Sequence, residues 1–185
     1  MDHADHVALL RAAVREGETW ADLGSGTGAF TLALAELVTA VGRIVSVDRD
    51  PAALRQQAAS LAARFRDVPI EQHVADFRRP LELPPLDGIV MANSLHFVPR
   101  AEQASVIHVL ASALRPGGRF VVVEYDAERG NPWVPHPFEA AAWPALATDA
   151  GLVDAREIGR VPSRFLGAIY SAVAERSSAD RSMAD

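Results

Sequence analysis

Three acids and a glycine cluster carry the chemistry this sequence could do. In Trp20-Ala21-Asp22-Leu23-Gly24-Ser25-Gly26-Thr27-Gly28, three glycines fall within five residues, and a carboxylate, Asp22, stands two positions before the first. Glycine lets a backbone turn sharply and lets a ligand approach it closely. Such a turn ahead of a helix usually cradles a phosphate, because the helix N-terminus presents free N–H groups and a partial positive charge. Asp22 opposes that reading. A pyrophosphate loses beside a carboxylate, whereas a ligand bearing a cation gains from it. The spacing Gly24-x-Gly26-x-Gly28 also departs from the dinucleotide pattern G-x-G-x-x-G, which is met only if Ala29 counts as the third small residue. Taken alone, the glycines could form a tight strand–helix turn without a ligand, and Asp22 could be a surface acid at a strand end.

Two further acids bear on the choice. Asp48 follows Gly28 by 20 residues, the separation of a carboxylate that accepts ribose hydroxyls. Asp76, in His73-Val74-Ala75-Asp76-Phe77, closes another apolar run. Together they call for a nucleoside with a positive charge. S-adenosylmethionine meets that description: it has no phosphate and carries an ammonium and a sulfonium. Asp48 alone does not separate it from a nicotinamide cofactor, since both contain ribose. For proton transfer the best candidate is His96, in Asn93-Ser94-Leu95-His96-Phe97, because an ordinary imidazole titrates near neutrality. Its alternative is a histidine that packs or caps a loop. Glu124 and Tyr125 are weaker candidates, since an acid ending an apolar strand can simply mark where water begins. His3, His6, His73, His108 and His136 show no metal-ligand spacing and read as structural or solvated.

These residues need a scaffold that brings successive strand ends together. Apolar runs at 18–23, 43–47, 70–75, 86–92 and 120–125 read as strands. Between them, stripes at helical spacing run over 5–15, 28–41, 51–65 and 100–114. Asp50-Pro51 reads as an N-cap followed by proline at the first helical position. Arg115-Pro116-Gly117-Gly118 reads as a stop and a turn. A further helix is expected over 138–150, and two β-rich runs, near 152–160 and 164–174, lie close enough to pair as a hairpin. Alternating strands and helices predict an α/β fold: a doubly wound, mostly parallel Rossmann-like sheet with helices on both faces and a C-terminal antiparallel hairpin. In such a sheet the strand ends converge on one crevice. Residues 1–176 are expected to form a single domain, with 177–185 as a disordered tail.

With DLGSGTG at 22–28, VDRD at 47–50, VADF at 74–77, DGIVMANSLHFV at 87–98 and LRPGGRFVVVEYD at 114–126, the chain resembles a class I S-adenosylmethionine-dependent methyltransferase. The resemblance covers roughly residues 18–126. It implies that Asp22 sits near the methionine ammonium, through water, and that Gly24, Gly26 and Gly28 line the methionine portion. It implies that Asp48, with Arg49 beside it, binds the ribose and that Asp76 and the Phe77 backbone meet the adenine. Asn93 and Ser94 would face the methionine end and the transferred methyl. The Leu95-His96-Phe97 that follows is similar to small-molecule methyltransferases, including those acting on quinone precursors.

Composition narrows the rest. All 18 basic residues are arginine and there is no cysteine. This excludes a Walker or Schiff-base lysine, disulfides, thiolate metal sites and a cysteine nucleophile. It also excludes the covalent route to pyrimidine carbons and the lysine-based ribose methyltransferases. No Asn/Asp-Pro-Pro-aromatic motif follows the fourth strand, which argues against exocyclic amines of nucleobases as acceptors. A net charge of −6 argues against nonspecific nucleic-acid binding. A small-molecule acceptor is what remains. Trp133, Phe138 and Trp143, in the proline- and aromatic-rich stretch 131–144, either line its pocket or form a minor core under the hairpin. No run spans a bilayer and no signal-peptide pattern opens the chain, so a cytoplasmic protein is expected. Two other readings stay open. A nicotinamide-dependent oxidoreductase would need the longer glycine spacing and no acid at 22, and a non-catalytic module of the same fold would bind the nucleoside weakly or not at all.

Overall fold

The computed structural model describes residues 1–163 and 165–178. Seven strands form one sheet: β1 Thr19–Leu23, β2 Arg43–Asp48, β3 Ile70–Val74, β4 Leu86–Ala92, β5 Leu114–Tyr125, β6 Leu152–Pro162 and β7 Ala168–Arg176, in the order β3-β2-β1-β4-β5-β7-β6. The first five pair in parallel, and β7 runs antiparallel to both β5 and β6. The doubly wound sheet and terminal hairpin read from the sequence are thus both present. Order reverses between β1 and β4, which opens a crevice at the carboxyl ends of the strands.

Strand alternation sorts side chains onto two faces. On one face Ile89, Met91, Phe120 and Val122 pack with α4 (Arg100–Ala111) and α5 (Trp143–Asp149). On the other, Val90, Ala92, Val121 and Val123 pack with α1 (His3–Leu10), α2 (Ala29–Val38) and α3 (Pro51–Arg64). The central strands are apolar on both sides because both faces are covered.

Element limits differ from expectation where local chemistry decides them. α1 begins at His3 because Asp2 and Asp5 form a reciprocal capping box, each side chain accepting from the other's backbone N–H. The predicted stop at 115–118 lies inside β5. Leu86 pairs with Leu114 and Gly88 with Arg119, so the Arg-Pro-Gly-Gly segment is a bulge that the strand accommodates, with Gly117 left-handed at φ 77°. The helix expected over 138–150 is split into a 3₁₀ turn, Ala140–Ala142, and α5, with Pro144 within the first turn of α5. Of the tail expected at 177–185, residues 179–185 lie outside the described residues. Among the described residues no helix is long and apolar enough to cross a membrane.

Candidate functional site

The ends of β1, β2 and β4, with the segment after β3, surround a cleft of about 460 Å³. Gly24 and Gly26 form its base, and Asp48, Arg49, Asp76, Phe77, Asn93 and Ser94 stand around it. A second cavity, about 260 Å³, shares Gly24, Gly26 and Asn93 with the first and adds Asp22, His6, Phe30 and Ala92. The two spaces therefore adjoin along the glycine turn. The acids expected at the ribose and adenine lie in the first, and the acid expected at the ammonium lies in the second.

Each acid is held differently. Asp48 Oδ2 accepts the Gly26 N–H at 2.7 Å and Oδ1 accepts the Asp50 N–H at 2.8 Å. Each oxygen retains accepting capacity toward the cleft. Asp76 Oδ1 accepts the Arg78 N–H at 3.0 Å, and that backbone bond, with the Arg78 side chain, holds its carboxyl below the usual carboxylate range. Asp22 is 1% exposed, and among the described residues its side-chain partner is Thr31, whose Oγ1 donates at 2.6 Å. Burial pushes its carboxyl up to about 7; the Thr31 bond opposes the rise and the charge of Asp48 adds to it.

The three glycines do three different jobs. At Gly24 a Cβ would stand 2.5 Å from Ser94 Cβ, so the turn and the segment after β4 are in close contact there. At Gly26 a Cβ would meet nothing within 4 Å, and this is the backbone that faces open space. Gly28, at φ 92°, is the N-cap of α2 and lines neither cavity; a Cβ would stand 2.4 Å from Gln57 Cγ. Its close neighbour is the Gln57 side chain on α3. Ser94 likewise turns inward, its Oγ donating to Leu23 O at 2.7 Å. Asn93 is left-handed at φ 51°, and among the described residues its buried Oδ1 has no hydrogen-bond partner.

A buried polar network beneath the turn has no counterpart in the sequence reading. Gln57, fully buried on α3, donates to Ser25 Oγ at 3.0 Å and Thr31 Oγ1 at 3.1 Å and accepts from Ser46 Oγ at 2.8 Å. A glutamine in a polar helix segment reads as surface, and no sequence signal marks this one as buried. His6 was also read as structural or solvated; it lines the second cavity, as Asp22 does.

His96 lies elsewhere. It is 2% exposed and lines neither cavity. Its Nδ1 is 2.6 Å from Glu124 Oε2 and its backbone N–H donates to Glu124 Oε1 at 3.1 Å. Glu124 alternates with Val123 and shares the face of Phe120 and Val122, toward α4 and α5, whereas His6 and Phe30 lie on the α1–α2 side. Of the aromatic stretch, Phe138 and Trp143 are core, 4% and 0% exposed; Tyr170 Oη donates to Phe138 O and Trp143 Nε1 to Val173 O. They form the minor core under the hairpin, while Trp133 is exposed. Among the described residues no cluster of histidine and acid side chains could hold a metal.

The sequence profile of the methyltransferase domain matches residues 21–118, more than half of the chain, and the chain belongs to that family. Its fold is shared with S-adenosylmethionine-dependent methyltransferases of known structure. The enzyme from Aquifex aeolicus superposes with a TM-score of 0.71 at 19% identity, over 92% of this chain and 89% of that one. Magnesium protoporphyrin IX methyltransferase from Synechocystis, solved with S-adenosylmethionine bound, superposes with a TM-score of 0.72 at 20% identity, over 95% of this chain and 78% of that one. In sequence the chain is 32% identical over 126 residues to protein-L-isoaspartate O-methyltransferase 2 of Arabidopsis thaliana, an alignment covering 65% of this chain and 38% of the relative. The chain thus spans well under half the length of that relative.

Proposed function

We propose that this chain is an S-adenosylmethionine-dependent methyltransferase acting on a small-molecule acceptor. The observation that carries the reading is Asp22: a buried carboxyl under the glycine turn, where a pyrophosphate would otherwise rest and where a cation is favoured. The residues present fit the donor. Asp48 keeps lone pairs for ribose hydroxyls, and Arg49 lines the same cleft; Asp76 and Phe77, also in that cleft, offer an acceptor and a ring to an adenine; the Asn93 Oδ1 suits a donor N–H or ammonium. When bound, S-adenosylmethionine supplies an electrophilic methyl group on a sulfonium. The chain's part is to hold donor and acceptor in line and away from water, an orientation worth roughly 7–11 kcal/mol in favourable cases.

His96 and Glu124 serve, on this reading, to position. Glu124 on β5 grips the backbone and ring of His96, and so fixes the segment that carries Asn93 and Ser94 to the cleft. The fold shared with magnesium protoporphyrin IX methyltransferase supports a small acceptor. A protein acceptor, suggested by the isoaspartate relative, is separated from it by assaying labelled methyl transfer into a protein-free metabolite extract and into a protein fraction.

The direct test is calorimetry with S-adenosylhomocysteine on the wild-type chain and on Asp48→Ala. Binding to the wild type, weakened about 100-fold or more by loss of two charge-assisted hydrogen bonds, is the expected result. Heat with NADH and none with S-adenosylhomocysteine would transfer the site to a nicotinamide cofactor.

A further inference from the structure

We propose that a third cavity, at the end of β5, binds the methyl acceptor on the methyltransferase reading above, and that it selects a planar aromatic molecule bearing a basic nitrogen. The cavity, about 530 Å³, lies between Tyr125 at the end of β5, Pro162 and Ile169 on β6 and β7, Phe165 in the turn that joins them, and Asp2 and Asp5 at the start of α1. Its volume is that of a small-molecule site. Its place follows from the sheet order β3-β2-β1-β4-β5-β7-β6. A sulfonium is pyramidal and carries three arms. The nucleoside arm goes to the β2–β3 side, where Asp48 and Asp76 line the cleft, and the amino-acid arm goes to Asp22 on β1. The methyl points away from both, and the strands left on that side of the row begin with β4, β5 and β7.

A row of rings leads from the donor cleft to this cavity. Phe97, exposed and lining the cleft, packs on the His96 ring with centroids 4.4 Å apart. His96 lies 6.3 Å from Tyr125, and Tyr125 lies 5.7 Å from Phe165, edge to face at 62°. Tyr125 is placed by pairing with Ile169 across β5 and β7. Phe165 is placed by its turn: its N–H donates to Ser163 Oγ at 3.1 Å, and the Ser163 N–H donates to Gly167 O at 2.8 Å. The Phe165 ring is nonetheless exposed. Two aromatic rings set at an angle on one cavity wall, one of them with an apolar face still in water, are suited to take a flat ring or a cation between them.

Charge decides which flat ring. Asp2 Oδ1 and Asp5 Oδ2 are engaged in the capping box, and the other oxygen of each carboxylate keeps its accepting capacity. The Asp5 backbone bond holds the Asp2 carboxyl below the usual carboxylate range, so it is charged at neutral pH. Burial, with the Glu124 charge adding to it, raises the Tyr125 hydroxyl, which meets a ligand as a neutral phenol. Carboxylates beside aromatic faces favour a cationic substituent, whereas an acidic acceptor would meet like charge.

Two probes of equal ring size and opposite charge, naphthylmethylamine and naphthoate, test this on the full chain loaded with S-adenosylhomocysteine. The amine should bind roughly 10-fold more tightly than naphthoate. Phe165→Ala, a change at an exposed ring, and Tyr125→Leu should each weaken the amine about 5-fold or more. Asp5→Asn keeps an acceptor for the Asp2 N–H and should narrow the gap between the two probes. The affinity for S-adenosylhomocysteine, read in the same titrations, should stay at the wild-type value and so report that each variant is folded. With S-adenosylmethionine in its place, NMR should show a nuclear Overhauser contact between the S-methyl protons and the ring of the bound amine. Failure of the amine to bind, naphthoate binding as tightly, an affinity unmoved by Phe165→Ala, or no contact with the S-methyl would each overturn the proposal while leaving donor binding intact. No heat with S-adenosylhomocysteine on the wild type would instead sink the donor reading, and this inference with it.

Discussion

Asp22 is a carboxyl 1% exposed, with the Thr31 hydroxyl donating to it, and burial makes its charged form costly. Its folded-state affinity for a proton is raised from the ordinary 3.8 to about 7, so the folded chain binds more protons than the unfolded one between those values. The contribution of Asp22 to stability therefore falls as pH rises from about 4 to about 7 and levels off above. Asp22→Asn keeps an acceptor for Thr31 and cannot ionise. Urea melts should show the variant more stable than wild type at pH 8, by as much as ~4 kcal/mol for a shift of about three units, with the difference vanishing near pH 4. Equal stabilities at pH 8 would mean that Asp22 ionises in the fold without penalty. The gain in stability should come with weaker S-adenosylhomocysteine binding, since the acid that destabilises the empty fold is the one that answers the ligand's ammonium.

The glycine turn shows what a sequence conveys about an element and what it withholds. The acids at strand ends were legible because strands announce themselves by apolar runs, and an acid ending such a run has only one end of the sheet to occupy. The pairing of His96 with Glu124 was not legible, because it depends on which face of β5 is uppermost at position 124 and on a contact across 28 residues. Nor was the difference between the glycines, since it depends on what each meets in space. Gly26→Ala places a Cβ in open space at a left-handed φ of 54°, at a cost of about 1–2 kcal/mol. Gly28→Ala drives a Cβ into Gln57 and breaks up a buried network, at a cost of about 3 kcal/mol or more. Chemical denaturation and calorimetry should thus separate the two: Gly26→Ala folds and loses ligand affinity, whereas Gly28→Ala loses stability first. Equal destabilisation by both would show that the turn acts as a unit.

Across the whole molecule the question is whether the cofactor-binding half and the antiparallel end fold together. One apolar cluster runs from Ala21 and Val45 on the early strands through Met91 and Phe120 to Trp143, Tyr170 and Ala174. The strand that closes the sheet, β7, pairs along the length of β5 from Arg119 to Tyr125. Neither end can bury its apolar face without the other, so we expect residues 1–176 to unfold as a single domain in one cooperative transition. Trp143 is the place to test this. It is fully buried on α5, stacks on Phe138 and donates to Val173 O at 3.0 Å, yet lines neither cavity of the site. Trp143→Ala should cost about 3–5 kcal/mol, and circular dichroism and fluorescence of the remaining tryptophans should report the same lowered midpoint. S-adenosylhomocysteine affinity should be retained wherever the variant is folded. Two separated transitions, with only the one for the hairpin displaced, would instead divide the chain into a cofactor-binding core and a dispensable edge.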